Sequence, residues 1–317
     1  MGSFHFDNQN VQHSRAGNND GHLDIYGILF SLTEMFITGC FKQARMAEPV
    51  ILVTGSTDGI GKATATALAL GGARVILHGR NEKKGREVQR ELEEKTGAGR
   101  PDLVVADYSR QDEIRRMAAD LAERYSRLDV LVNDAGTYQK TRHVTAAGIE
   151  LTFAVNYLGP FSLTHLLLPL FGDASRIVTV ASSAHFDVDR IDWENLPQQH
   201  RYDPWEAYAL SKFCDVTFTY ALARNLKGTG ITANCLHPGV VNTKLSRSAA
   251  PGMATITPEE GAETAIWLAR SPEVAGISGR YFDEKKETAS SALSRDRRVQ
   301  ERLWKMAEDL TGLRGRD

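Results

Sequence analysis

The chain is predicted to be an α/β protein: a single domain built on a doubly wound, mostly parallel sheet with helices on both faces. Three observations predict this. Short apolar runs without polar alternation recur from Val50 to Phe282, as strands buried on both faces require. One stretch of helical spacing separates most successive runs, and a single crossover helix per strand pair dictates parallel pairing. A glycine-rich turn directly follows the first run, where such folds place their ligand loop.

The elements follow in order. Val50–Val53 gives the first strand, and small and aliphatic residues over Ile60–Leu70 give a helix. Ala73–Leu77 is the second strand, followed by the charged helix Glu82–Lys95, and Leu103–Ala106 with Gln111–Tyr125 repeats the pair. Leu128–Val132 is the fourth strand. Ala146–Phe171 predicts a helix that Pro160 kinks or restarts, because proline lacks the N–H. Arg176–Ala181, rich in β-branched residues, is the fifth strand; residues 184–204 are polar and turn-rich, and Glu206–Asn225 resumes helical spacing. Ile231–Leu236 is the sixth strand. Thr257-Pro258-Glu259-Glu260 predicts a helix start with Thr257 as N-cap and Glu260 closing a capping box. A short seventh strand falls near Arg280–Phe282, and a closing surface helix runs to Leu310. No repeat or linker divides residues 46–317.

Composition limits the function. Of 317 residues, 42% are hydrophobic and 25% charged, the balance of a soluble globular protein. Lys and Arg total 38 against 40 Asp and Glu, so no basic surface points to nucleic acid. Cys40, Cys214 and Cys235 are too few for a disulfide scaffold, no Cys/His cluster has zinc spacing, and a reducing cytoplasm is the expected compartment.

Residues 1–45 are expected to be an extension, disordered or weakly helical. Asn, Gln, His, Gly and Ser supply 14 of the first 22 residues, too polar to offset ordering entropy. Residues 25–41 are apolar apart from Glu34 and a few hydroxyls. Seventeen residues is the lower limit for a membrane helix, and Glu34 would cost roughly 2.5–3.5 kcal/mol on insertion. A membrane-surface or anchoring helix, a helix packed on the body or a partner, and an extension outside the fold are the three readings. The last is favoured, with Met46, just ahead of the first strand, as the functional start.

The turn Thr54-Gly55-Ser56-Thr57-Asp58-Gly59-Ile60-Gly61 carries the first chemistry. Its glycines permit a tight turn and close backbone approach to a pyrophosphate, toward which the following helix aims free N–H groups. At the end of the second strand stands His78-Gly79-Arg80-Asn81, with no carboxylate for a ribose 2′-hydroxyl. A guanidinium at Arg80 suits a 2′-phosphate, so NADP(H) is the expected cofactor; the rival reading makes Arg80 a solvated surface residue. Tyr208 and Lys212 lie at i and i+4 on one helix face, where an ammonium favours the phenolate. Ser182-Ser183 ends the fifth strand at the carboxyl edge of the sheet; Ser183 either donates to a carbonyl oxygen or caps a turn.

These elements jointly resemble the short-chain dehydrogenases/reductases, specifically their retinol-dehydrogenase-like branch, whose Rossmann-type fold they imply. The resemblance covers about residues 49–312 and rests on TGSTDGIG (54–61), NDAG (133–136), FAVNYLGPF (153–161), VASSAH (180–185), YALSK (208–212) and HPGVVNT (237–243). It implies a catalytic tetrad of Asn156, Ser183, Tyr208 and Lys212: Tyr208 exchanges the proton, Lys212 lowers its pKa and holds the nicotinamide ribose, Ser183 orients the substrate oxygen, and Asn156 helps hold a relay water. Of the adjacent serines the second is taken as the match. The implied cofactor contacts are Gly55, Ser56, Thr57, Asp58, Gly59, Ile60 and Gly61 around the phosphates, and Arg80 with Asn81 at the 2′-phosphate. Asp107 would lie near the adenine. Asn133, Ala135 and Gly136 would line the adenosine and ribose, and Pro238, Gly239, Val240 and Thr243 the nicotinamide. Asp134 departs from the family's usual Asn and puts local hydrogen bonding in question.

Substrate choice should come from residues 184–207 and the segment after Thr243. Phe186, Trp193, His200, Tyr202 and Trp205 suggest an apolar substrate, although loop aromatics more often pin the loop to the body; His185 is read as support rather than as an acid–base group. The expected activity is hydride transfer between NADP(H) and a carbonyl or alcohol carbon of a lipophilic small molecule, without a metal. The rival is a non-enzymatic NADP(H)-binding redox regulator. An epimerase or dehydratase would need another glycine spacing and a larger C-terminal domain. Membrane association through residues 25–41 is the weaker alternative, and helix Glu206–Asn225 offers a face for a homo-oligomer.

Overall fold

The computed structural model describes residues 48–97, 99–196, 200–253 and 255–313. The expectations for residues 1–45 and Met46 lie outside the described residues. Eight strands form one sheet in the order β3-β2-β1-β4-β5-β6-β7-β8. They are β1 (Val50–Val53), β2 (Arg74–Gly79), β3 (Asp102–Val105), β4 (Leu128–Asn133), β5 (Phe171–Val180), β6 (Thr232–His237), β7 (Tyr281–Asp283) and β8 (Lys286–Glu287). All neighbours pair in parallel except β7 with β8. The order reverses between β1 and β4, which opens a ligand crevice at their carboxyl ends.

Alternate strand residues feed opposite cores, as the pleat dictates. Val50 and Leu52 join one cluster, with residues of α3 (Gln111–Arg124), α4 (Leu151–Leu170), α5 (Pro204–Asn225) and α8 (Arg297–Thr311). Ile51 and Val53 join the other, with α1 (Gly59–Leu70), α2 (Glu82–Thr96) and α7 (Pro258–Arg270). Each fully buried Leu or Ile contributes about 1.5–3 kcal/mol. The predicted capping box of α7 is present: Thr257 Oγ1 accepts from Glu260 N at 3.2 Å, and Glu260 Oε2 accepts from Thr257 N at 2.7 Å.

The structure differs from the sequence expectations at four places. Helix α4 begins at Leu151 rather than Ala146, because Gly148 turns the chain at φ 77° and the buried Glu150 carboxylate caps Thr152 N and Phe153 N at 2.8 Å. Just before Pro160 the helix relaxes into a π-turn over Ala154–Leu158 rather than breaking. That turn answers the missing N–H, which leaves the Asn156 carbonyl without its i+4 donor. Strand β5 starts five residues early at Phe171, through an irregular register and a left-handed Ala174. A short helix α6 (Lys244–Ala249) and the hairpin to β8, turned by Glu284 and Lys285 at φ 46° and 62°, had no sequence signal.

Among the described residues, α4 is the one helix long and apolar enough to cross a membrane, and 72% of its apolar window is buried inside the protein. Helix α5, the offered oligomer face, is covered within the chain by α8: Trp304 stacks on Phe218 at 5.9 Å, and Tyr157 on α4 donates to Leu303 O at 3.0 Å.

Candidate active site

The site lies where β1, β4, β5 and β6 end. Gly55 and Gly59 adopt φ 68° and 53°, open to glycine at little cost. A Cβ at Gly61 would come within 2.6 Å of both Gly55 O and Asp134 Oδ2, so the loop packs too tightly for any other residue. Asp58 caps α1 by accepting Gly59 N at 2.8 Å. Ser56 is fully buried, its hydroxyl accepting His78 N at 2.9 Å. Thr57 lies over the end of β2, where a Cβ at Gly79 would meet its methyl at 2.5 Å. Thr243 closes over the other side, 3.1 Å from a Cβ built on Gly59, and thereby brings the segment of Pro238, Gly239 and Val240 to the glycine loop.

Arg80 is exposed beyond β2 and forms no ion pair among the described residues, leaving its guanidinium open to a phosphate. This unpaired cation beside a helix N-terminus fits a phosphorylated dinucleotide. Asn81 caps α2 instead, accepting Lys84 N at 3.0 Å. Asp107 accepts Ser109 N at 2.9 Å beyond β3. Asn133 is buried and its amide donates to Thr164 Oγ1 at 3.2 Å, so the side chain braces α4 rather than lining a groove. Ala135 and Asp134 hang by their N–H groups on Thr54 Oγ1 at 3.1 and 3.0 Å, and Gly136 borders Asn156.

Tyr208 and Lys212 share the buried face of α5. Lys212 Nζ donates to Val180 O at 2.8 Å and to Asp215 Oδ2 at 2.9 Å. Burial opposes the ammonium, but Asp215, Tyr208 and Asp134 outweigh it and hold its pKa above the ordinary value. Burial also pushes the Asp215 carboxyl up to about 6 against the pull of Lys212. Sequence reasoning missed Asp215; its signal was a carboxylate set among apolar residues in the middle of a helix, three positions after Lys212. For Tyr208, burial raises the phenol above its usual value, while Lys212 and a hydrogen bond from the Ser182 hydroxyl pull it back. The ammonium therefore limits an upward shift rather than producing the expected downward one.

The serine beside Tyr208 is Ser182, which corrects the expectation of Ser183. Ser182 continues the extended strand at φ −166°, ψ 155°, whereas Ser183 opens a 3-10 turn and is exposed. Side chains of consecutive extended residues point to opposite sides, so only Ser182 keeps the direction of the site. Ser183 contributes its backbone, donating to His237 Nδ1 at 3.1 Å. His185 is fully buried between Ser182 O (2.7 Å from Nδ1) and the Ser291 N–H (3.2 Å from Nε2). Asn156 is also fully buried: Oδ1 accepts Thr137 N at 2.7 Å, and Nδ2 donates to Thr137 O at 3.0 Å and to Ser211 Oγ at 2.9 Å. Its side chain welds α4, the loop after β4 and α5 together.

Around Tyr208 stand two rings, Tyr138 and Trp205, each 5.9 Å away between centroids. Tyr138 was not singled out from sequence. The loop aromatics do pin the loop: Arg302 lies 3.9 Å over Trp193, Tyr202 donates to Gln139 O at 2.6 Å, and Trp205 donates to Asp187 at 2.9 Å. Phe186 and Trp205 nevertheless remain 45% and 39% exposed, which leaves an apolar rim.

Comparison with known proteins agrees with this arrangement. The family description "short chain dehydrogenase" matches residues 49–254. Retinol dehydrogenase 14 of Mus musculus is 38% identical over 293 residues, covering 84% of this chain and 87% of its own. Polyprenol dehydrogenase of Homo sapiens is 36% identical over 284 residues, covering 84% and 86%. Among solved structures, a Mycobacterium paratuberculosis protein superposes with a TM-score of 0.71 at 30% identity, covering 84% of this chain and 94% of that one. A short chain dehydrogenase from Shigella flexneri, complexed with NADP, has a TM-score of 0.63 at 29% identity, covering 77% and 100%. The chain belongs to the short-chain dehydrogenase family, in its retinol-dehydrogenase-like branch, an oxidoreductase family acting on alcohol and carbonyl groups.

Proposed function

We propose that the protein is an NADP(H)-dependent oxidoreductase that interconverts an alcohol and a carbonyl on a lipophilic small molecule, with Tyr208 as the general acid and base. The observation that carries this is the buried Tyr208–Lys212–Asp215 set at the carboxyl edge of the sheet, with the Ser182 hydroxyl on the phenol. Bound NADP(H) supplies the hydride in reduction and accepts it in oxidation. Gly59, Ile60 and Gly61 at the start of α1 would hold its pyrophosphate, Arg80 its 2′-phosphate, and Pro238, Val240 and Thr243 would border the nicotinamide.

In reduction, Tyr208 gives its phenolic proton to the carbonyl oxygen as the carbon gains hydride; in oxidation the phenolate takes the hydroxyl proton. Ser182 donates to the oxygen as charge develops there. Lys212, kept protonated by Asp215, stabilises the phenolate. Asn156, on the π-turn just before Pro160, would help hold a water that returns the proton to Tyr208. Support for a lipophilic substrate comes from the exposed Trp205 beside Tyr208, from the exposed Phe186 against His185, and from relatives named for retinol and polyprenol. We retain the cytoplasm as the compartment; fractionation of the full chain with membranes would instead assign residues 25–41 a lipid contact.

NADPH consumption, followed at the nicotinamide absorbance against aldehydes and ketones graded in size and polarity, tests the reading. Wild type should turn over apolar members, and Tyr208→Phe should lose roughly 10²–10⁴-fold while still binding NADPH. Undiminished turnover by the variant defeats the mechanism. NADPH binding without turnover of any panel member favours the redox regulator.

A further inference from the structure

His78 sits at the end of β2 and has no part in the chemistry above. Its imidazole is nearly sealed from solvent, 3% exposed, and lies flat on Tyr108, with ring centroids 4.7 Å apart and planes 26° from parallel. Both nitrogens are engaged. Nδ1 accepts the N–H of Gly55, the first glycine of the loop, at 3.2 Å, and Nε2 lies 3.2 Å from Ala106 O at the end of β3. A carbonyl can only accept, and an N–H can only donate, so these partners select one form: neutral, with the proton on Nε2. Burial holds the imidazole pKa down at about 4, which keeps that form in place at working pH. The His78 backbone adds to the grip, since Ser56 N donates to His78 O at 3.0 Å and His78 N donates to Ser56 Oγ at 2.9 Å.

We propose that His78 is a positioning residue for the cofactor: its bare Nδ1 holds the Gly55 N–H inward and thereby sets the glycine loop in the shape that receives the pyrophosphate. The Gly55 amide is consequently spent on β2; in the first turn of α1 Gly59 N meets Asp58 and Gly61 N meets Asp134, which leaves the Ile60 N–H there as a donor for phosphate. The loop has little slack to tolerate a change. A Cβ on Gly55 would already sit 2.8 Å from Ala135 Cα, and one on Gly61 would strike Gly55 O at 2.6 Å. Any rotation of the Gly55 peptide therefore displaces both the NDAG segment and the start of α1. This inference rests on the assignment of the loop to NADP(H).

Two amide variants separate the roles of the two nitrogens. In His78→Asn the side-chain oxygen falls near the position of Nδ1 and can still accept from Gly55. In His78→Gln the amide reaches toward Ala106 O but leaves the Gly55 N–H without an acceptor. Binding of NADPH to the full chain, read by nicotinamide fluorescence, should weaken roughly tenfold in His78→Gln and His78→Ala, the scale of one hydrogen bond, and by about twofold or less in His78→Asn. The loss should fall on Kd and on KM for NADPH more than on kcat. Equal weakening in all three variants, in step with their Tm, would make His78 a packing residue and overturn the proposal; so would unchanged affinity in His78→Gln. An independent reading needs no variant: the ¹⁵N shifts of His78 in the wild type should give a protonated Nε2 and a bare Nδ1, and a protonated Nδ1 overturns the clamp. Failure of the wild type itself to bind NADPH would instead remove the cofactor assignment on which the clamp depends.

Discussion

At the glycine-loop end, residues 54–61 owe their shape to the backbone: two left-handed glycines, a capping Asp58, and contacts so close that a methyl group would collide. At the end formed by α5 the backbone is ordinary, and the function proposed for it resides in charges buried on it. Lys212 and Asp215 are 5% and 1% exposed, and each is tolerable there only because of the other. The first region specifies geometry through what is absent from the side chains. The second specifies reactivity through partners that other strands and turns deliver. The difference means that the two ends should fail in different ways when perturbed.

The largest effect is expected at the helix end. Asp215→Asn leaves the Lys212 ammonium buried without its counter-charge and should cost about 3–5 kcal/mol of stability, together with most of the activity. Urea unfolding measures the first. The paired replacement Lys212→Met with Asp215→Leu should recover much of the stability and none of the turnover, because an apolar pair needs no desolvation. If the single variant proves as stable as wild type, the pair is not the support of this end of the site.

Next is the serine. Ser182→Ala should lower kcat by roughly 10²–10³-fold, the usual loss for one donor to a developing oxyanion, while Ser183→Ala should keep nearly full turnover. The reverse result would restore the sequence assignment. The structure departs from that assignment for a physical reason: two adjacent serines are equivalent in a string, and only the point at which β5 gives way to a 3-10 turn decides which one faces Tyr208. The glycine loop, the succession of strands β1 to β7 along the chain and the i, i+4 placement of Tyr208 and Lys212 were legible because each is a local pattern. Asp215 and His78 were not, since their significance depends on contacts with Lys212 and Gly55 that spacing alone does not assign to them. The early start of β5 and the delayed start of α4 were hidden by Ala174 and Glu150, residues whose roles there run against their usual preferences.

At the cofactor end, effects should be smaller and confined to binding. Arg80→Ala should weaken NADPH by about 2 kcal/mol, the value of a hydrogen bond to a charged group, and NADH far less. Fluorescence titration with both cofactors checks this, and equal losses would mean that Arg80 does not read the 2′-phosphate.

The smallest effect concerns Asp134, a residue that feels both ends. Asp134 accepts the Gly61 N–H at the start of α1 and also feels the charge of Lys212; burial pushes its carboxyl up to about 7 against both. A folded-state pKa above the ordinary carboxylate value means that the folded protein binds a proton which the unfolded chain has released between about pH 4 and 7. By linkage, stability is then lost as pH rises through that window. Asp134→Asn removes the titration, so its Tm should fall less than that of wild type between pH 5 and 8. The difference in unfolding free energy between the two proteins should change by about 1 kcal/mol over that range, a discounted figure because the side chain is half-buried and water screens it. A variant whose Tm follows wild type at every pH would mean that Asp134 stays ionised throughout, held by Gly61 and Lys212, and would join the two ends electrostatically where the comparison sets them apart.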